Sequence, residues 1–257
     1  MNDLTIGIVT YNSTETIGKA LQSLCDHWTS SLSCHVYVID NGSSVQADYS
    51  LWVSVDRFKF HSSELGNVGF GAAHNSILPL LDAPYHLIMN PDILIEDDGA
   101  LPELIQYMNG HPDVGMAVPR IVDEHGMQQY LCRRDITFVD LVLRYIPGRF
   151  FLKRQHWHTM QDCDYHQPFE VPFASGCFML VRTSVFQELQ GFDPRFFLYA
   201  EDADLTRRIN LNARTVYVPT ATVCHLWQRA SYKSLRMMMI HLTSVWRYFR
   251  KWGFRFK

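Results

Sequence analysis

Residues 201–204 read Glu-Asp-Ala-Asp, and three acids within four positions repel one another unless water, a metal ion or hydrogen-bond donors take up their charge. The triplet equally suits the first turn of a helix, because "DADLTRRI" reads as a helix start and acids there face the positive end of the helix dipole. Another acid stands in "LIMNPDILI", residues 87–95. Leu87, Ile88 and Met89 form the apolar run of a buried strand, and Pro91, with no N–H for a ladder, ends it. Asp92 is therefore held at a strand tip, where it can cap the next turn or meet a ligand. Upstream lies "GNVGFGAAHN". Its Gly66, Gly69 and Gly71 miss the dinucleotide spacing G-x-G-x-x-G but let backbone approach a ligand closely, with Asn67 and Asn75 offering amide donors and acceptors.

Groups so far apart in the chain meet only if regular elements deliver them to one place. Residues 5–11, "TIGIVTY", have the apolar, β-rich character of a strand. "STETIGKALQSLCDHW" follows with Ile17, Ala20, Leu21, Leu24 and Trp28 at helical spacing; Ser13 or Thr14 is placed to cap that helix, with Glu15 in its first turn. "HVYVID" predicts a second strand ending at Asp40 before an Asn41-Gly42 turn, "FKFHSS" a third, and "YHLIM" a fourth after the glycine-rich loop opens a helix. This alternation predicts a parallel, doubly wound α/β sheet, in which ligands sit at the carboxyl ends of the strands. Three polar tips then converge: Thr10-Tyr11-Asn12, Asp40-Asn41-Gly42 and Asn90-Pro91-Asp92.

A chain of 257 residues, 47% hydrophobic and 13% aromatic, can bury a full-sized core, and one domain with a C-terminal appendage fits that size. No signal-peptide pattern opens it, and no run of about 18 apolar residues suits a membrane span. Six cysteines without a C-x-x-C pair argue against zinc ribbons and read as free thiols of a reducing cytoplasm. The net charge of −3 hides an asymmetry. Residues 1–204 hold all 26 acids and 12 of the 23 Lys and Arg, a net −14, whereas residues 205–257 hold 11 basic side chains and no acid. Such a tail suits an anionic partner, unless it answers the acidic body. No nucleic-acid module accompanies it, so nucleic acid is not the expected partner.

In order along the chain, "IVTYN", "VIDNGS", "GNVGFGAAHN", "LIMNPD", "ASGCFMLVR" and "FDPRFFLYAEDADLTRRI" resemble the motifs of glycosyltransferase family 2, and most of all its bacterial rhamnosyltransferase-like branch, where the usual D-x-D reads N-P-D. The resemblance runs from Thr5 to about His225. It implies the α/β GT-A fold, a Rossmann-like mixed sheet flanked by helices. One domain would cover 1–230, nucleotide-binding to about residue 120 and acceptor-binding from about 121, ahead of a basic amphipathic helix over 231–257.

The resemblance also implies inverting, metal-dependent hexosyl transfer. Asp92 would ligate a Mg²⁺ or Mn²⁺ that neutralises the departing diphosphate. Asn90, standing where the first acid of D-x-D would be, is a poor anionic ligand, so either metal affinity would be weak or His225 in "TATVCHLW" would complete the site. Asp202 would be the general base on the acceptor hydroxyl, with Glu201 assisting. The donor-binding set is Thr10, Tyr11, Asn12, Asp40, Asn67, Gly69, Asn75, Asn90, Asp92, Gly176 and Arg207, with Asp40 on the base or ribose. Gly176 would leave room beside the sugar, and Arg207 would pair with the acid cluster or reach the diphosphate.

dTDP-β-L-rhamnose is the leading donor of that branch, with a UDP-sugar such as UDP-galactofuranose as the alternative. The expected acceptor is a saccharide on polyprenyl diphosphate, in surface-polysaccharide synthesis (O-antigen, capsule or cell wall) at the cytoplasmic face of the membrane. A sugar-nucleotide-binding protein without transferase activity is the reading from another class; the missing first acid suggests it, and retention of Asp92 and Asp202 opposes it. Residues 125–168 match no motif and are expected to form an acceptor loop. In the tail, Leu235, Met238, Met239, Leu242, Val245, Trp246, Phe249 and Trp252 share one helix face, with Arg247, Arg250, Lys251, Arg255 and Lys257 crowding its end. That face can dock on the core or lie on anionic lipid as a peripheral anchor.

Overall fold

All seven residues from Leu4 to Thr10 are buried, the pattern of a strand covered on both faces. They form the first strand of a computed structural model that describes residues 2–28, 32–140, 151–226 and 235–254. The first half runs β1 (Leu4–Thr10), α1 (Thr14–Asp26), β2 (Cys34–Asp40), β3 (Phe58–Ser62), α2 (Phe70–Asn75), β4 (Tyr85–Met89), β5 (Ile93–Leu94), α3 (Ala100–Gly110) and β6 (Val114–Val122). The second runs β7 (Cys132–Arg133), α4 (Leu152–His158), β8 (Phe169–Glu170), β9 (Phe173–Ala174), β10 (Phe178–Arg182), α5 (Thr183–Glu188), α6 (Glu201–Ile209), β11 (Arg214–His225) and α7 (Leu235–Trp252).

One sheet takes the order β3-β2-β1-β4-β10-β6-β11-β5, with β8 added on β11. β3, β2, β1 and β4 are mutually parallel, as the alternation predicts. β10 then enters antiparallel to both β4 and β6, which makes the sheet mixed. That reversal sets Phe178 opposite Met89, so the residues just before β10 lie beside the carboxyl tip of β4. β11 runs parallel to β6 and pairs His225 with Ile93 of β5, which carries the histidine to the turn that holds Asp92.

Two apolar layers close the sheet. α1 and α3 bury Leu21, Leu24, Leu104 and Met108 against Ile6, Ile8, Leu87 and Val216 on one face. Phe186, Phe192, Leu205 and Ile209 cover Val9, Ile88 and Val181 on the other. Each such side chain, fully buried, stabilises the fold by roughly 1.5–3 kcal/mol relative to leaving it in water. Gly7 sits beneath His74 and His86, and a Cβ there would come within 3.1 Å of both rings. Those two histidines are wholly buried, and burial holds both pKa values far below the usual range, that of His86 at about 3.

Three expectations need adjusting. Ser13 precedes α1, but its hydroxyl donates to the Tyr11 carbonyl and does not cap the helix. The stretch over 125–168 is more regular, where described, than an acceptor loop. Asp123 accepts from the N–H groups of His125 and Met127 to close a tight turn, and α4 is tied down by the Arg154–Asp140 pair and by Arg134, which donates to the Trp157 carbonyl and pairs with Asp162. α7 neither turns its whole apolar face to the core nor leaves it free. His241, Ser244, Val245, Tyr248 and Phe249 are buried, whereas Leu235, Met238, Met239, Leu242 and Trp246 are exposed. The boundary at 230 and the basic residues Arg255 and Lys257 lie outside the described residues.

Candidate active site

A cleft of about 400 Å³ opens at the carboxyl ends of β1 and β4 and is walled by Tyr11, Asn12, Asn41, Asn67, Gly69, Asn90 and Asp92, among others. Its shape depends on the loop from Gly66 to Gly69. Asn41, 3% exposed, donates from Nδ2 to Asn67 Oδ1 at 3.1 Å and accepts the Val68 N–H at 3.0 Å. Asn67 Oδ1 also accepts the Gly69 N–H. Gly69 has φ +97°, and a Cβ there would stand 2.4 Å from the Phe197 carbonyl oxygen, so a side chain is excluded on both counts. Asn12, at φ 53°, accepts from Ser44 and steadies the opposite lip. Thr10 is buried beneath that lip, its carbonyl accepting the Asn41 N–H.

The Asn90-Pro91-Asp92 turn is braced from two sides. Asn90 N–H donates to the Cys177 carbonyl at 2.8 Å, and the Asp92 carbonyl accepts from Leu226 at 2.9 Å. Asp92 Oδ1 is buried with no hydrogen-bond partner among the described residues. Its Oδ2 lies 3.4 Å from His225 Nε2, while His225 Nδ1 faces Gln129 Oε1 at 3.0 Å. Two donors about 2.1 Å from one cation in neighbouring positions stand roughly 3 Å apart, so this spacing and the unmet carboxylate oxygen fit a shared divalent ion. Among the described residues no three His, Cys, Asp or Glu side chains gather to hold a metal.

Asp202 reaches the same neighbourhood through two residues of backbone. Gly176 N–H donates to Asp202 Oδ2 at 3.1 Å, and the next residue, Cys177, is the one whose carbonyl holds Asn90. A Cβ on Gly176 would approach Asp202 Cβ to 3.3 Å and Phe70, a cleft residue, to 3.5 Å. Burial pushes the Cys177 thiol up to about 12, and the charges of both Asp92 and Asp202 add to the effect. Asp202 also accepts the Ala203 N–H at 2.9 Å, and burial raises its pKa against these bonds and the pull of Arg133. Glu201, 5% exposed and with Oε2 unpartnered among the described residues, is driven well above its ordinary value by burial and by its neighbour's charge. The preceding residues Tyr199 and Ala200 both have positive φ, 70° and 64°, a conformation that costs of order 1–3 kcal/mol each in non-glycine residues and is found where function fixes the backbone. The two acids line a small cavity with Arg133, Asp140, His158 and Tyr199.

Other residues of the expected set go elsewhere. Asn75 does not reach the cleft: its Nδ2 donates to the Phe192 carbonyl and its Oδ1 accepts the Phe192 N–H, so both ends of the amide are engaged. Arg207 stacks on Trp252 of α7 at 4.4 Å and donates to the Tyr248 hydroxyl. Asp40 is buried and its Oδ1 accepts the Ser43 N–H, which closes the turn after β2. Asp204, third of the acid triplet, is fully buried and paired with Arg208 and Lys251. Asn41 and Gln129 were not in that set. The "DNG" turn marked the first, and no local pattern marks the second.

The sequence profile described as Glycosyl transferase family 2 matches residues 5–190. The chain is 31% identical over 173 residues to N-acetylglucosaminyl-diphospho-decaprenol L-rhamnosyltransferase of Mycobacterium tuberculosis (strain ATCC 25618 / H37Rv), covering 62% of this chain and 56% of that protein. It thus spans little more than half the length of that relative. It is 29% identical over 194 residues to Rhamnosyltransferase WbbL of Escherichia coli (strain K12), covering 71% and 70% respectively. In fold it is similar to GalNAc-T7 solved with UDP, GalNAc and Mn²⁺ (TM-score 0.65, 15% identity, 95% of this chain and 47% of that one). It is equally similar to mannosyltransferase PcManGT from Pyrobaculum calidifontis in complex with GDP-Man and Mn²⁺ (TM-score 0.65, 15% identity, 97% and 64%).

Proposed function

The chain belongs to glycosyltransferase family 2, and from that premise we propose that it is an inverting, cation-dependent transferase moving L-rhamnose from dTDP-β-L-rhamnose to a saccharide hydroxyl on a polyprenyl-diphosphate lipid. The observation that carries the reading is the Gly176-Cys177 dipeptide, which binds the Asp92 turn through one residue and Asp202 through the other. A donor lying in the cleft beside Asn90 and Asp92 would have its anomeric carbon toward Asp202. The acceptor oxygen forms a bond to that carbon as the bond to the diphosphate oxygen breaks on the opposite face, and Asp202 takes the hydroxyl proton. The raised pKa of Asp202 suits this role, since a base poised nearer neutrality accepts a proton more effectively than an ordinary carboxylate. Glu201, its pKa raised by burial and by the charge of Asp202, stands beside it to orient the acceptor.

Asp92 and His225 would hold the Mg²⁺ or Mn²⁺, which when bound supplies Lewis-acid neutralisation of the leaving diphosphate. The donor choice is supported by two rhamnosyltransferases among the similar proteins, one named for a decaprenyl-diphosphate substrate. Release of nucleoside diphosphate from dTDP-rhamnose, UDP-galactofuranose and other sugar nucleotides, with Mn²⁺ and a lipid-linked acceptor, is the direct test. Preferential turnover of dTDP-rhamnose is expected; turnover of a UDP-sugar alone replaces the donor, and no turnover of any donor removes the enzymatic reading.

We place the lipid-bearing partner at the outer face of α7. Leu235, Met239 and Trp246 are more than half exposed there, Arg250 lies over the Trp246 ring at 5.0 Å, and no acid follows Asp204. No described helix is long and apolar enough to cross a membrane, so contact would be peripheral. Trp246→Ser with Leu242→Ser should weaken co-sedimentation with phosphatidylglycerol vesicles and leave the melting temperature unchanged; unaltered partitioning rejects this contact.

A further inference from the structure

Gln129 grips His225 at two points. Its Nε2 donates to the His225 carbonyl at 3.0 Å, which leaves Oε1 as the atom facing the imidazole Nδ1, also at 3.0 Å. Turning the amide over would set oxygen against carbonyl oxygen, so the orientation is fixed by hydrogen-bond complementarity. An oxygen facing Nδ1 requires the proton to be there, and in the neutral ring Nε2 then keeps its lone pair. That lone pair meets Asp92 Oδ2 at 3.4 Å, beside the unpartnered Asp92 Oδ1. Two electron-pair donors aimed at one another repel unless a ring proton or a metal cation lies between them. Gln129 is itself held by the short hairpin that follows β6: its N–H donates to the Ile121 carbonyl at 2.8 Å, Val122 bridges Gln128, and Gly126 turns the chain at φ +74°.

We propose that Gln129 is a positioning residue that locks His225 as its Nδ1-protonated tautomer and so aims the Nε2 lone pair, with Asp92, at the divalent cation. The proposal rests on the cation site described above. Its test uses the full chain, ¹⁵N-labelled and free of added metal, with the ring nitrogens of His225 identified by their loss in His225→Ala, followed by Mn²⁺ titration read by electron paramagnetic resonance. In the wild type Nε2 should show the shift of an unprotonated nitrogen. Gln129→Met, of similar length but without the acceptor, should mix the tautomers and weaken Mn²⁺ binding about 10–100-fold, the range for outer-shell partners of metal-bound histidine. Gln129→Glu keeps an oxygen before Nδ1 but loses the amide donor to the His225 carbonyl, so it should retain the Nδ1-protonated tautomer and recover Mn²⁺ affinity only in part, a split that a merely structural role would not predict. If Asp92→Asn leaves Mn²⁺ affinity unchanged, the cation site falls and the proposal with it. If Asp92→Asn weakens Mn²⁺ while Gln129→Met alters neither tautomer nor affinity, only the role of Gln129 falls.

Discussion

The cleft at the tip of β4 and the seam between α6 and α7 are both built around acids, yet they treat charge in opposite ways. In the seam every carboxylate oxygen of Asp204 has a donor: Arg208 Nε at 2.8 Å on Oδ2, with Lys251 Nζ at 2.7 Å and Trp252 Nε1 at 2.8 Å on Oδ1. Lys251 also pairs with Asp193, whose pKa is strongly depressed, first by Arg195. Among the described residues Asp92 Oδ1 in the cleft and Glu201 Oε2 in the small cavity that Asp202 also lines have no partner, and the pKa values of Glu201 and Asp202 move up. Asp202 and Asp204 sit two residues apart on one helix. A buried charge that serves the fold is neutralised within the chain, whereas one that serves a ligand is left incompletely satisfied.

The largest test of this contrast is Asp202→Asn. Transfer should fall about 10²–10⁴-fold, the usual contribution of a positioned base, while the melting temperature holds because Asn keeps an oxygen for the Gly176 and Ala203 N–H groups. An activity within tenfold of wild type would break the assignment. In the unmodified enzyme kcat/KM should decline with acid, because Asp202 must be unprotonated to act, and burial sets that limb above the ordinary carboxylate range. Stability should show the complementary signs. Glu201, with its folded pKa raised, contributes stability below its unfolded value near 4.5 that is lost as pH rises toward the folded one. Asp193, with its folded pKa depressed, contributes above 3.8 and loses that as pH falls. Glu201→Gln should therefore flatten the alkaline side of the stability profile and Asp193→Asn the acid side, as read by urea unfolding across pH.

Asp204→Ala should do the reverse of Asp202→Asn. Removing one partner from a buried, hydrogen-bonded ion pair costs about 3–5 kcal/mol, because Arg208 loses its counter-charge inside the protein. Urea unfolding measures the loss directly. A change under about 1 kcal/mol would mean the seam tolerates an unpaired charge as the cleft does, and the comparison would fail.

What could be read from the sequence follows the same division. Strands β1, β2 and β4, helix α1 and the polar tips are local patterns, period and punctuation, and they stand where those patterns put them. The reversal at β10 has no local signature: "CFMLV" reads as a buried strand whichever way it runs, and only the sheet sets Phe178 against Met89. Residue type also fails to distinguish a wall from a prop. Asn75 and Asn67 offer the same amide, but one is taken up by the backbone of Phe192, 117 positions away in sequence, and the other faces the cleft. Gln129 reaches His225 across 96 positions, a pairing no spacing rule contains.

Arg207 gives the smallest and most discriminating test, because the sequence leaves it between the acid cluster and the diphosphate and the structure sets it in the seam. Its guanidinium lies 4.4 Å from the Trp252 ring centroid and donates to the Tyr248 hydroxyl at 3.3 Å. A cation over an indole at a partly exposed site contributes about 0.5–1 kcal/mol, and the neutral-acceptor hydrogen bond adds a similar amount. Arg207→Gln should therefore lower stability by about 1–2 kcal/mol and leave the KM for sugar nucleotide where it was. If instead stability holds and that KM rises tenfold, Arg207 works on the diphosphate, and the line between paired acids of the seam and open acids of the cleft has been drawn one helical turn too early.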